Sequence, residues 1–274
     1  MHSKLSIFSY LSPLLRLHAK VGQQPDNLCG PYWIALLLQA YGKLSTSAVE
    51  VSLEASTLLP SQGEPTDWLP TGATSCLGPG YDHIPMAADL TICGTSVTGL
   101  SRATEQLSQG NFCLIPLQTD DWLTGLAAIA ELCQTHLEWQ IIPLLNIHTR
   151  YLWGSQLTPL ALFTYLQTGQ LTSPPVADWS VGHFALLIGQ LQSEGNTLYG
   201  VLDTYPHFGW NGLHLQPPLA LAQALQRPDS EADGGIALFA ATKTRSHLIR
   251  LLENSGFRIA PWDNGTPDAG EVMG

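Results

Sequence analysis

Residues 23–42, QQPDNLCGPYWIALLLQAYG, set one cysteine between a polar turn and a long apolar run. Pro25, Asp26 and Asn27 break the chain, whereas Tyr32 to Leu38 is continuously apolar and closed by Gly42, which predicts a buried helix. Cys29 then lies at or just before a helix N-terminus. There the unpaired backbone N–H groups and the positive end of the helix dipole favour an anion, so a thiolate is stabilised relative to a thiol. Pro31 agrees with this placement, because proline is favoured in the first helical turn.

The surrounding composition bounds what such a cysteine could serve. At 274 residues, 45% hydrophobic and 12% charged, the chain is long enough to bury a sizeable core. A net charge of -11 with only 11 Lys and Arg argues against nucleic acid, whose phosphates need clustered cations. Five widely spaced cysteines (Cys29, Cys76, Cys93, Cys113, Cys133) without a C-x-x-C predict neither a disulfide framework nor a zinc site, and suit a reducing, cytoplasmic setting. His83, His136, His148, His207 and His214 lack the i, i+4 pairing of a metal helix. Phosphate-cradling glycine loops are absent, so no cofactor is expected. No run reaches the ~18 apolar residues of a membrane span. The opening MHSKLSIFSYLSPLLRLHAK, interrupted by serines and Pro13, reads as a leading helix rather than a signal peptide.

Along the chain, residues 1–22 read as an arm, 29–42 as the buried helix and 43–57 as a short helix or strand. Residues 58–83 carry enough Pro and Gly for an irregular loop, expected over or beside a cleft. A helix capped by Thr98 and stopped by Gly110, a strand FCLIPLQ, a helix from Asp120 and a strand QIIPLLNI together predict an inserted α/β unit. GHFALLIGQLQ, SEGN and TLYGVLDTYP read as an antiparallel hairpin. PLALAQALQ, GGIALFAAT and SHLIRLLENSG follow as helix, strand and helix, and residues 260–274 as a frayed tail.

A cysteine nucleophile needs an imidazole, a group to orient that imidazole, and donors for an oxyanion. His183 opens the first strand of the hairpin and Asp203 ends the second. They share a face if the connecting loop is odd in length, or even with a bulge. Asp178, five residues before His183, is a competing orienter, while Trp153, Trp179, Tyr205 and Trp210 are candidates for either core or substrate wall.

The order Gln23, Cys29, His183, Asp203, with Gln23 six residues before the cysteine, resembles the papain-like cysteine peptidase superfamily. It looks closest to the double-glycine leader peptidases of bacteriocin export systems, over residues 20–42 and 180–206. The resemblance implies an α+β papain-like fold, its nucleophile helix packed on an antiparallel sheet, with residues 1–259 as one catalytic domain and 43–175 as an insert or elaboration. It implies Cys29 as nucleophile, His183 as base, Asp203 as orienter, and Gln23 as oxyanion donor beside the Cys29 N–H, with the adjacent Gln24 as the alternative. The implied activity is cleavage of a peptide amide through an acyl-enzyme, as in processing of a ribosomal peptide. An acyl- or peptidyl-transferase with the same triad, and a non-catalytic papain fold that binds a peptide or partner, are the alternatives. Unlike those peptidases, this sequence has a long stretch between Cys29 and His183 and no transporter after it. LCGPYW, GTSVTGL, LWG, GHF and DTYP also resemble words shared by a group of soluble bacterial proteins, a likeness that implies no activity.

Overall fold

The computed structural model describes residues 4–63, 68–228 and 232–268. The expected N-terminal arm is a strand, β1 (Lys4–Ile7), and a helix, α1 (Ser12–Val21). The quoted run forms α2 (Cys29–Gly42), in which Gly30 to Leu38 are all buried, as befits a helix apolar on every side. Ser47 and Glu50 form a capping box that starts α3 (Ala48–Glu54). The described residues of the Pro- and Gly-rich stretch are irregular apart from β2 (Leu59–Pro60), which pairs with β3 (Met86–Ala87), and one 3-10 turn at Tyr81–His83. Helix α4 (Val97–Leu107) is capped by Ser96 rather than the expected Thr98, because the Ser96 hydroxyl accepts from the Gly99 N–H.

The strands β4 (Phe112–Gln118) and β5 (Ile142–His148), joined by α5 (Trp122–Thr135), form where expected, but not as an inserted unit. After α6 (Pro159–Thr168) come β6 (Gly182–Ser193), β7 (Asn196–Leu202), β8 (Leu213–Gln216), α7 (Pro218–Gln226), β9 (Gly235–Ala241), α8 (Arg245–Asn254) and β10 (Arg258–Ile259). Eight strands make one sheet ordered β10-β4-β9-β5-β6-β7-β8, with β1 added beside β6 and every pairing antiparallel. β9 lies between β4 and β5, and β5 pairs directly with the strand of His183. Residues 43–175 therefore build the central sheet and are not a separable α/β insert. The protein is α+β, with eight α-helices among the described residues. Helix α2, flanked by α1, α3 and α4, packs on β6, while α7 packs on β5, β7 and β9.

The register of the β6–β7 hairpin decides where its two polar residues point. Glu194 and Gly195 alone form the turn, with φ of 49° and 83°, the signature of a tight primed turn. An even loop pairs Gln192 with Thr197 and Gly189 with Gly200, which, continued, would set Asp203 level with Leu186 and on the face opposite His183. Ile188 interrupts this as a β-bulge, beyond which Leu187 faces Val201 and Leu186 faces Leu202. Asp203, one residue on, falls level with Ala185 and shares a face with His183. One extra residue restores the parity that the loop alone would have lost.

Gly189 lets the bulge coexist with β1. A Cβ there would stand 2.3 Å from the Ser6 carbonyl oxygen and 2.9 Å from the Ile7 Cα, on a backbone with φ of +158°. The tail expected to fray instead packs back: Trp262 is buried, its ring where a Gly235 Cβ would otherwise sit, and Asp268 pairs with Arg102 at 3.0 Å. Residues 269–274 lie outside the described residues.

Replacing Gly189 with alanine should destabilise the fold by about 1–3 kcal/mol, since backbone must move to admit one carbon. Chemical denaturation measures this. A variant as stable as the parent would show that β1 does not constrain the bulge.

Candidate active site

Cys29 is the first residue of α2, and its N-cap, Leu28, provides no side-chain hydrogen bond. The first N–H groups of the helix are thus left without a side-chain cap. Gly30 lets this helix end press against the sheet: a Cβ would come within 2.9 Å of Leu100 Cδ1 and 3.1 Å of Phe184 Cδ2. One turn later the Trp33 indole N–H donates to the Phe184 carbonyl at 3.0 Å. Two contacts therefore hold α2 against the residue that follows His183. Cys29 and His183 line the same cleft.

His183 and Asp203 are both fully enclosed, at 1% and 2% exposure. His183 Nε2 lies 3.3 Å from Asp203 Oδ1, which leaves Nδ1 for Cys29. The same carboxylate oxygen accepts the Tyr205 N–H at 3.0 Å. Asp203 Oδ2 stands 3.8 Å from His214 Nε2. The tautomer of His214 follows from Gln216. Its Oε1 accepts the Trp153 N–H, and its Nε2 donates to the Trp153 carbonyl and to His214 Nδ1, so the His214 proton lies on Nε2, facing Asp203. From α1, His18 stacks on Trp33 and donates from Nε2 to the Asp203 carbonyl at 2.9 Å.

This setting has opposite effects on the two partners. Burial alone would lower the pKa of His183, but the charge and hydrogen bond of Asp203, helped by Cys29, outweigh it and raise the imidazole to about 10. Burial alone would raise Asp203, yet His183 and then His214 hold it well below the usual carboxylate range.

Gln23 and Gln24 exchange the places expected of them. The Gln23 amide donates to the Thr74 carbonyl at 2.6 Å and does not line the cleft beside Cys29, whereas Gln24 does. The cause is local: the Gln24 backbone N–H bonds the Thr204 carbonyl at 3.3 Å, which ties Gln24 to the segment holding Asp203. Its Oε1 is buried without a hydrogen-bond partner among the described residues. Asp178 accepts the Ser155 N–H at 2.6 Å and is engaged there rather than at His183. Trp179 lies over His183, ring centres 4.7 Å apart, and its N–H donates to the Trp68 carbonyl. Trp210 is exposed and Trp153 packs on Tyr165.

The cleft beside Cys29 and His183 has a volume of about 310 Å³. Pro60 and Trp68 bring the 58–83 loop to its wall, and Asp26 anchors that loop through Ser75 Oγ, the Cys76 N–H and, by its carbonyl, Tyr81. Residues 64–67 of the loop lie outside the described residues. Gly94 and Thr95, Asn146, Arg227, and Asn264 to Thr266 from the returning tail complete much of the rim. All five cysteines are free. Burial raises the thiols of Cys93, Cys113 and Cys133, the last to about 12; Cys76 and Cys93 are half-buried rather than in the core. Among the described residues no three His, Cys, Asp or Glu side chains gather as metal ligands would, and no helix is long and apolar enough to cross a membrane.

Gln24, His18, His214, Gln216 and Arg227 were not among the residues expected at the site, except Gln24 as an alternative. The signal for two of them was present: His214 and Gln216 alternate on a strand, and His214 pairs with Val201, two residues before Asp203 and on its face.

Because His183 binds its proton more tightly folded than unfolded, its stabilising contribution is complete below its ordinary value of 6.5 and is lost as pH rises to about 10. Melting temperature should fall across that interval in the parent and fall less in His183→Gln; identical slopes in the two proteins would contradict the raised imidazole.

A search among curated proteins finds no match to this sequence. Residues 8–263 match the model of a family described as "Family of unknown function (DUF6885)", and the chain, matched over nearly its whole length, belongs to that family.

Proposed function

We propose that the protein is a papain-like cysteine hydrolase that cleaves an amide bond of a peptide through an acyl-enzyme. The observation that carries this reading is the buried contact of His183 Nε2 with Asp203 Oδ1, 3.3 Å apart, at a cleft that His183 shares with Cys29. Five free thiols support a reducing, cytoplasmic setting.

In the mechanism, His183 enters protonated, as its raised pKa requires, and the Cys29 sulfur attacks the substrate carbonyl carbon as the thiolate. A C–S bond forms and the carbonyl π pair moves to oxygen. The Cys29 N–H at the uncapped helix start and the Gln24 side chain are positioned to receive that oxyanion. Collapse breaks the C–N bond, and His183 gives its proton to the departing amine. His183, now neutral, takes a proton from water as the hydroxide attacks the thioester, and the C–S bond breaks to release the acid and return the Cys29 thiolate beside protonated His183. Asp203 keeps Nε2 protonated and the ring in place throughout.

Iodoacetamide at neutral pH should label Cys29 well ahead of the other four cysteines. Slow and even labelling of all five would instead favour a protein that only binds a peptide. In Asp203→Asn, burial lowers His183 with only Cys29 left to oppose it, so the alkaline limb of turnover should move down from about 10 toward neutrality. Turnover should fall about 10²-fold or more, read as cleavage of a peptide library by mass spectrometry.

The two glutamines separate by the same assay. Gln24→Ala should lower turnover about 10²-fold with labelling of Cys29 retained, as for loss of one oxyanion donor, whereas Gln23→Ala should leave turnover near the parent's. Equal losses, or a loss confined to Gln23→Ala, would rule out Gln24 as that donor.

A further inference from the structure

A guanidinium is rarely enclosed without an acid beside it. Arg227 is only 3% exposed, yet no carboxylate stands within ion-pair distance of it among the described residues. Its partners are neutral oxygens: the Asn146 side chain, the Ile147 carbonyl and the Asn264 carbonyl. These occupy three of the five N–H donors of a guanidinium. The Nε–H is buried and has no hydrogen-bond partner among the described residues. Arg227 is the left-handed cap of α7, with φ of 50°, and its guanidinium lies 3.8 and 3.9 Å from where a Gly182 Cβ would stand, one residue from His183. It also lines the cleft that Cys29 and His183 share.

The charge around that cleft points the same way. The chain carries 22 acidic residues, yet no Asp or Glu is among the described residues that line it. Nearby His148 is pushed down to about 4, by burial first and then by the charges of Arg227 and Arg150, which marks a positive local potential. Burial lowers Arg227 itself only to about 10, so it stays charged at neutral pH.

We propose that Arg227, held by Asn146 against Gly182, is a specificity subsite that binds a carboxylate of the substrate beside the Cys29–His183 pair. This rests on the reading of Cys29 as the nucleophile and adds the substrate class: a peptide with a carboxylate near the bond that is cut. Its source is either a C-terminal carboxylate or an acidic side chain, which are the same group to the guanidinium.

The test compares ω-maleimidoalkanoic acids of two to five methylenes with the matching carboxamides, as reagents for Cys29 at pH 7. At one chain length or more the acid should react about tenfold faster than its amide, and the ratio should drop to about one in Arg227→Gln and partly recover in Arg227→Lys. Should Arg227→Gln fail to fold in a thermal melt, the parent still decides: free butyrate should slow the acid reagent and butyramide should not. Rapid, selective labelling by the amides with no advantage for any acid would overturn the subsite and leave the nucleophile standing. Absence of selective labelling by either series would remove the nucleophile and the subsite together. Protection of Cys29 by acetyl-tetraalanine with a free C-terminus, but not by its amide, assigns the carboxylate to a chain end. Protection by a C-terminally amidated Glu peptide over its Gln twin assigns it to a side chain, and protection by neither would count against the subsite.

Discussion

The buried carboxylate of Asp203 organises the site of this protein. Placing the Asp203 carboxylate out of water costs several kcal/mol unless donors surround it. Hydrogen bonds to a charged group return about 1.5–3 kcal/mol each, so two or three are needed to balance the cost. They come from the His183 ring on β6 and from the Thr204 hydroxyl and Tyr205 N–H of the following turn, with the His214 ring of β8 3.8 Å away. His18 of α1 fixes the backbone of the same residue and stacks on Trp33 of α2. Helix α2 is thereby referenced to the carboxylate by two routes, through His18 and through the Trp33 bond to Phe184. The bulge at Ile188 belongs to this constraint, because without it the carboxylate and the imidazole would occupy opposite faces.

Much of the fold was legible because apolar runs of the right length are bounded by turn residues. The helix after Cys29, the strand FCLIPLQ and the β6–β7 hairpin are of this kind. The strand order was not legible. A helix between two apolar strands reads as a local α/β unit, and nothing in residues 112–148 announces that β9, from far along the chain, separates them. The leading helix was legible and forms as α1, but β1 before it and the packed tail were missed for a related reason. β1 gains order only by pairing beside Gly189, and the 260s only because the Trp262 ring finds the bare surface of Gly235. Neither partner is near in sequence.

For the site, residue types in order found Cys29, His183 and Asp203 but could not fix a side chain's direction. Hairpin parity needed the bulge, which no turn residue encodes. The choice between Gln23 and Gln24 turned on one backbone bond, from Gln24 to Thr204, which joins the turn before α2 to the DTYP stretch. Arg227 carried no sequence signal at all, since one arginine after a helix is ordinarily a solvated cap. The short words of the sequence are also less independent than they look. Trp153 of LWG is clamped by Gln216, which in turn sets His214; Gly99 of GTSVTGL lets α4 meet the Ala55 carbonyl, while Gly94 and Thr95 reach the cleft.

The treatment of helix starts gives the same conclusion from stability. Ser47, Ser96, Asp121 and Thr158 each accept a backbone N–H at the start of α3, α4, α5 and α6, a contact worth about 0.5–2 kcal/mol. Leu28 gives α2 no such contact. That helix does not depend on one, because its buried Trp33, Ile34, Leu36, Leu37 and Leu38 each contribute about 1.5–3 kcal/mol. Core packing thus holds the helix in place without a cap; α1, α7 and α8 also start without one. Pro31 has no N–H, so the Cys29 and Gly30 N–H groups are the ones left without a side-chain acceptor at this start, and the proposed hydrolase would turn that of Cys29 toward its oxyanion.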